Sequence, residues 1–190
     1  MEGILNEIKQ CRVCEKFIDP NPVLSISTQS KIIVIGQAPG NIVHKTGIPW
    51  NDKSGDNLRS WLQVDKATFY NHQIFGIMPM GFCFPGKGNN GDLPPRPECA
   101  PLWHNKLLAQ VKDVKLTILI GQYAQNYYLL NRTKQTLTET VKSFASYLPH
   151  YFVIPHPSPR NNIWMAKNAW FAKEVLPELR NAVSAILNSK

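Results

Sequence analysis

Four apolar β-branched residues, Ile32-Ile33-Val34-Ile35, run without a break into Gly36-Gln37-Ala38-Pro39-Gly40. An unbroken apolar run is what a strand covered on both faces needs, as in a parallel sheet. The Gly/Pro cluster then stops it. Taken alone, the stretch is also what a tight turn without chemistry looks like. In open α/β sheets, however, ligands sit beyond the carboxyl ends of strands, so this loop is the first place to look for a site.

Three further apolar runs repeat the pattern: Ile74–Met78, Leu116–Ile120 and Tyr151–Ile154. Helical periodicity lies between and around them. Residues 1–10 read as a short helix with Ile4, Leu5 and Ile8 on one face. A helix follows Ser54, taken as its N-cap, with Leu58, Trp61 and Leu62 as the stripe. Short helices are expected at 66–72 and 136–147. Longer ones should run from Cys99 to about Val111, from Gly121 to about Leu130 and from about 163 to 188, with Pro177 marking a break or a new first turn. Residues 17–30 read as a loop or short strand, 41–53 as a long loop, and 84–98, dense in Gly and Pro, as an irregular loop. Strands alternating with helices give an α/β layered fold with a mostly parallel sheet. The loops 36–53, 79–99 and 155–162 should then converge on one edge.

The chain of 190 residues is long enough for one domain with a real core, read as spanning 1–190. No run is long enough to cross a bilayer, and the acid at Glu2 with no long apolar core behind it does not make a signal peptide. A cytoplasmic protein is expected. Lys and Arg number 21 against 13 Asp and Glu, and the resulting +8 favours a polyanion such as nucleic acid, although no basic run localises it.

The four cysteines form a C-x-x-C, Cys11 and Cys14, and a wider pair, Cys83 and Cys99. In a reducing compartment they point to metal or redox chemistry rather than disulfides. Cysteines packed singly as small apolar residues are the competing reading. The C-x-x-C and a Gly/Pro-rich segment that needs an external anchor favour one tetrahedral thiolate site, open to zinc or an iron–sulfur cluster.

Taken in order, these motifs resemble the uracil-DNA glycosylase superfamily, nearest its iron–sulfur, family 4 type. The residues are Cys11/Cys14, Gly36-Gln37-Ala38-Pro39-Gly40, Thr46-Gly47-Ile48-Pro49-Trp50 with Ser54-Gly55, Cys83/Cys99 and His156-Pro157-Ser158. The resemblance implies a three-layer α/β/α domain with a four-stranded, mostly parallel sheet. It also implies a four-iron cluster on the cysteines, with zinc as the alternative, and a DNA glycosylase acting in repair. DNA, duplex or single-stranded with a modified base, would be the partner, and the protein a monomer.

The substrate would meet the first-motif residues Gly36, Ala38, Pro39 and Gly40, then His44 and the stacking aromatic Trp50. The family has a carboxylate at Gln37, an acid at His44 and a base-reading Asn at Pro79, and other branches have Asp or Asn at Ala38. The resemblance therefore does not carry uracil specificity with it.

Breaking an N-glycosidic bond needs a donor for the leaving base, a positioned water and a pocket for an unstacked base. His156, between prolines after the last strand, suits the donor. Gln37 can orient water but not take its proton. Asp52 and His44 are the nearby groups that can, and a surface acid is the plainer reading of Asp52. Ser158 and Arg160 suit phosphates, with Lys53, Lys87 and Arg96 as further clamps. A nucleic-acid-binding relative with impaired catalysis and a structural metal is the alternative. A thiol redox protein using Cys11 and Cys14 leaves Cys83, Cys99 and the His-Pro-Ser loop without a role.

Overall fold

The computed structural model describes residues 1–89, 91–129 and 136–189. The strands are β1 (Ile32–Ile35), β2 (Phe75–Ile77), the two-residue β3 (Lys87–Gly88) and β4 (Gly91–Asp92), β5 (Leu116–Ile120) and β6 (Tyr151–Ile154). The four apolar runs make one sheet in the order β2-β1-β5-β6, parallel at every pairing. Ile32 stands opposite Phe75 on one side and Leu116 on the other, and Thr117 opposite Tyr151.

The helices are α1 (Glu2–Lys9), α2 (Asn41–Thr46), α3 (Lys53–Leu62), α4 (Lys66–Tyr70), α5 (Cys99–Leu108), α6 (Gly121–Tyr128), α7 (Leu137–Lys142), α8 (Asn162–Lys167) and α9 (Leu176–Asn188). Side chains alternate across a strand, so β1 feeds two cores. Ile32 and Val34 pack with Leu58 and Leu62 of α3, Phe69 of α4, Val141 of α7 and Leu179 and Val183 of α9. Ile33 and Ile35 pack with Ile4 and Ile8 of α1, Trp103 and Leu107 of α5 and Ala124 of α6. Helices on both faces of a parallel sheet make the three-layer α/β/α fold. Each buried Ile, Leu or Phe contributes about 1.5–3 kcal/mol, so most of the hydrophobic stabilisation gathers on the two faces of the sheet.

Several local expectations are corrected. Residues 41–53 are not a long loop, because α2 occupies most of their first half and ends on Gly47 in the left-handed conformation (φ 67°). Six residues with only Val43 buried show no period. Asp52, not Ser54, caps α3: its Oδ1 accepts the Gly55 N–H at 2.8 Å, and Ser54 lies inside the helix. The 84–98 segment carries the antiparallel β3–β4 pair, too short and Gly-rich to alternate. Asn90 within it and Leu130, the expected end of α6, lie outside the described residues. α5 stops at Leu108, and 136–147 divides into α7 and a 3₁₀ turn, Phe144–Tyr147. The 163–188 region divides into α8, a π-helical turn (Phe171–Val175) and α9, with Pro177 in the first turn of α9. Among the described residues no helix is long and apolar enough to cross a membrane.

Candidate active site at the carboxyl edge of the sheet

A parallel sheet sends the loops after its strands to one edge. The loops after β1, β2 and β6 meet there around an open cavity of about 620 Å³. Gly36, Gln37, Ala38, Pro39, Gly40, Trp50, Asp52, Lys53, His156, Ser158 and Arg160 all line it. His44 does not. Its Nε2 lies 3.4 Å from Asp19 Oδ2, its ring stands against Phe84, and its carbonyl accepts from Asn21 Nδ2 at 2.6 Å. It braces the loop from behind. Arg96 is also elsewhere, paired with Glu98 at 2.6 Å and laid over the Phe17 ring beside the cysteines.

Trp50 sits in the left-handed region (φ 55°), a conformation that costs a bulky residue about 1–3 kcal/mol. Three neighbours hold it there. The buried Arg59 donates to the Trp50 carbonyl at 3.2 Å. Gly55 lets that carbonyl approach so closely that a Cβ would stand 1.7 Å from the oxygen. A Cβ on Gly36 would come within 2.8 Å of the indole, so the ring lies on bare backbone. The ring centroid is 5.5 Å from that of His156. Trp50 also touches the core, but its strained backbone and its place in the cavity wall go beyond core packing.

His156 follows β6 on a loop tied down at three points. Gln125 Nε2 donates to the Ile154 carbonyl at 2.9 Å, Asn161 Nδ2 to the His156 carbonyl at 2.6 Å, and Asn57 Nδ2 to the Pro157 carbonyl at 2.9 Å. Ser158 Oγ accepts the Arg160 N–H at 3.3 Å. Burial pushes the His156 imidazole below its ordinary value, with the Asp52 carboxylate pulling the other way. At neutral pH the ring is therefore neutral and carries one N–H. Asp52 keeps Oδ2 turned toward Gly40 while Oδ1 caps α3. Gln37 donates through Nε2 to the Leu93 carbonyl at 3.2 Å, which leaves its Oε1 for the cavity.

Pro79 lines the cavity together with Val23 and Ile77, three apolar side chains where the resemblance places a base-reading amide. The Pro79 carbonyl is fixed by His104, whose Nε2 lies 3.1 Å away. A carbonyl only accepts, so Nε2 carries the proton and Nδ1 accepts from Tyr128 Oη at 2.6 Å. Burial pushes His104 down to about 4 and the Tyr128 phenol well up.

Cys11 and Cys14, just past α1, meet Cys83 and Cys99 around a second, small cavity of about 30 Å³ walled by Ile8, Phe82 and Trp103. Cys99 Sγ accepts the Phe82 N–H at 3.4 Å, and Cys14 Sγ donates to Glu98 at 4.0 Å. As thiols, burial pushes Cys83 up to about 11 and Cys99 up to about 12. Among the described residues no three His, Cys, Asp or Glu side chains form a group arranged to hold a metal ion.

Asn57, Asn161, His104 and Asp92 went unread in the sequence. The first two have no motif of their own. Asp92, on the β3–β4 pair, lines the cavity only because the 84–98 segment folds back over it. Lys87 stands beside Arg160 in an adjoining groove.

A sequence model of the Uracil DNA glycosylase superfamily matches residues 25–180. That span holds the whole sheet and the loops at its carboxyl edge, and it begins after Cys11 and Cys14. The chain belongs to the Uracil DNA glycosylase superfamily.

Proposed function

We propose that the protein is a DNA glycosylase that hydrolyses the N-glycosidic bond of a damaged or deaminated base during DNA repair. The observation that carries this is the pairing of Trp50 and a neutral His156, with ring centroids 5.5 Å apart, in a cavity at the carboxyl edge. A base taken out of the stack needs a flat surface, which the indole offers. As the C1′–N bond breaks, negative charge gathers on the base. The His156 N–H, on a loop whose carbonyls are held by Asn161 and Asn57, can donate to such a charge without a cation of its own to neutralise first. Asp52 Oδ2 and Gln37 Oε1 orient water on the sugar side. Ser158, Arg160 and Lys53 take the flanking phosphates.

Pro79, Val23 and Ile77 present no side-chain amide, so the base preference differs from a uracil reader that uses one. A four-iron cluster on Cys11, Cys14, Cys83 and Cys99, with zinc second, is supported by the four residues lining one small cavity and by the Phe82 N–H already directed at Cys99 Sγ, but the sulfurs would have to draw closer together to bind it. The group would tie the segment after α1 to both ends of the 84–98 loop, a structural role.

The test is strand cleavage at abasic sites, after incubation with duplexes and single strands carrying a panel of modified bases. The wild type is expected to excise at least one, and His156→Ala to slow that excision by about 10²–10³ while duplex affinity holds. Tight binding with no excision of any base supports the impaired relative instead.

A further inference from the structure

The glycosylase reading leaves the proton of the attacking water without a destination. Gln37 cannot take it, and Asp52 has one oxygen committed to the first turn of α3. Asp92 lies at the end of β4 and reaches the cavity from the opposite side. A point where Gly40 would carry a Cβ is 3.5 Å from Asp92 Oδ2 and 3.9 Å from Asp52 Oδ2. Apart from the adjoining chain, nothing else stands within 4 Å of that point among the described residues. Two carboxylate oxygens thus come close to the same bare stretch of backbone, inside a cavity with room for water, and a water there can donate to both.

The β3–β4 segment is fixed over the cavity by contacts that do not use the acid. Gln37 Nε2 holds the Leu93 carbonyl, one residue beyond Asp92. The Arg160 guanidinium lies against Gly91, whose positive φ (141°) and missing side chain make the approach possible: a Cβ would stand 2.9 Å from Nη1. Among the described residues no hydrogen bond or ion pair engages the Asp92 carboxylate itself. Both its oxygens are available.

We propose that Asp92 is the catalytic base of the hydrolysis, taking the proton of a water held between Asp52 and Asp92 over Gly40. The proposal rests on the glycosylase reading. The C1′–N bond breaks and its electron pair leaves with the base, met by the His156 N–H. The water oxygen bonds to C1′ and its proton passes to Asp92, which returns it to solvent. The departing base takes up a proton from solvent, and the products are free base and an abasic site.

A positioned general base typically contributes about 10²–10⁴-fold. The experiment is single-turnover excision, at saturating enzyme, of whichever base the wild type removes, with duplex Kd measured alongside. Asp92→Asn is expected to lose about 10²-fold or more in rate with Kd unchanged. Asp92→Ala is expected to lose a similar amount and to regain rate with added sodium formate, but not with sodium chloride of equal ionic strength. Asp92→Asn cleaving at the wild-type rate overturns the role of Asp92 and leaves the glycosylase reading intact. A loss that formate leaves untouched, or that comes with lost duplex affinity, marks a positional role and overturns it too. A wild type that excises nothing overturns the glycosylase reading, and the base with it.

Discussion

His104 supplies a stability term that depends on pH. Its side chain is 0% exposed, its ring stacks on Phe82 at 5.6 Å, and its two nitrogens are committed to Pro79 and Tyr128. Burial lowers its pKa from an ordinary 6.5 to about 4. The unfolded chain therefore binds a proton that the native one refuses between those values. The stability from this site is complete above pH 6.5, is lost as pH falls toward 4, and changes no further below that. Each pH unit is worth about 1.4 kcal/mol, so the whole shift amounts to about 3 kcal/mol, of which about 2 kcal/mol disappears between pH 7 and pH 5. His104→Gln retains a donor and an acceptor but does not titrate. Other groups, including the depressed His156 and the four thiols, are common to both proteins and cancel in the difference. Urea unfolding at pH 7, 6 and 5 reads it directly: His104→Gln should be the less stable at pH 7, and the gap should narrow by about 2 kcal/mol at pH 5. Parallel pH profiles for the two proteins would refute a neutral, desolvated His104.

Gly55→Ala places a methyl group against the Trp50 carbonyl, so Trp50 must leave its left-handed position. A loss of about 1–3 kcal/mol in thermal unfolding and at least tenfold in excision should appear together. Cys83→Ser should lose bound iron, measured by colorimetric assay of the purified protein. It should also gain protease cleavage between residues 80 and 100, whereas normal digestion in an iron-free variant counts against the cluster. Arg160→Ala should weaken binding to all duplex sequences alike and flatten the log–log salt dependence by about 0.9, as loss of one phosphate contact requires.

The sheet was legible because each of its strands is buried on both faces. Ile32–Ile35 and Leu116–Ile120 are apolar at nearly every position, and no helix of that length needs such a run. The edge at which the loops gather followed from parallel pairing alone. Elements whose signal lies in a few side chains were harder to read. Ser54 and Asp52 are both competent caps two residues apart, and only the packing of Gly55 under Trp50 decides between them. The same contact gives Ser54-Gly55 a physical meaning that spacing did not supply. His44 reads as a cavity residue by position, yet α2 turns it toward Asp19, since one helical turn sends neighbours in different directions. Asp92 was illegible for the opposite reason: its place in the cavity depends on where a Gly-rich segment folds back, and no periodicity encodes that.

The division between sheet and loops has an evolutionary consequence. Every group assigned to chemistry hangs from the carboxyl ends of β1, β2 and β6, while the strands beneath are sealed on both sides. Neither Gln37 nor Pro79 belongs to the two apolar cores, so replacing one of them leaves the packing of those cores in place. A lineage built on this scaffold can drift from one lesion to another by small changes along a single rim. An acid lost from one loop is open to replacement by an acid on another, while the folding of the domain stays as it was.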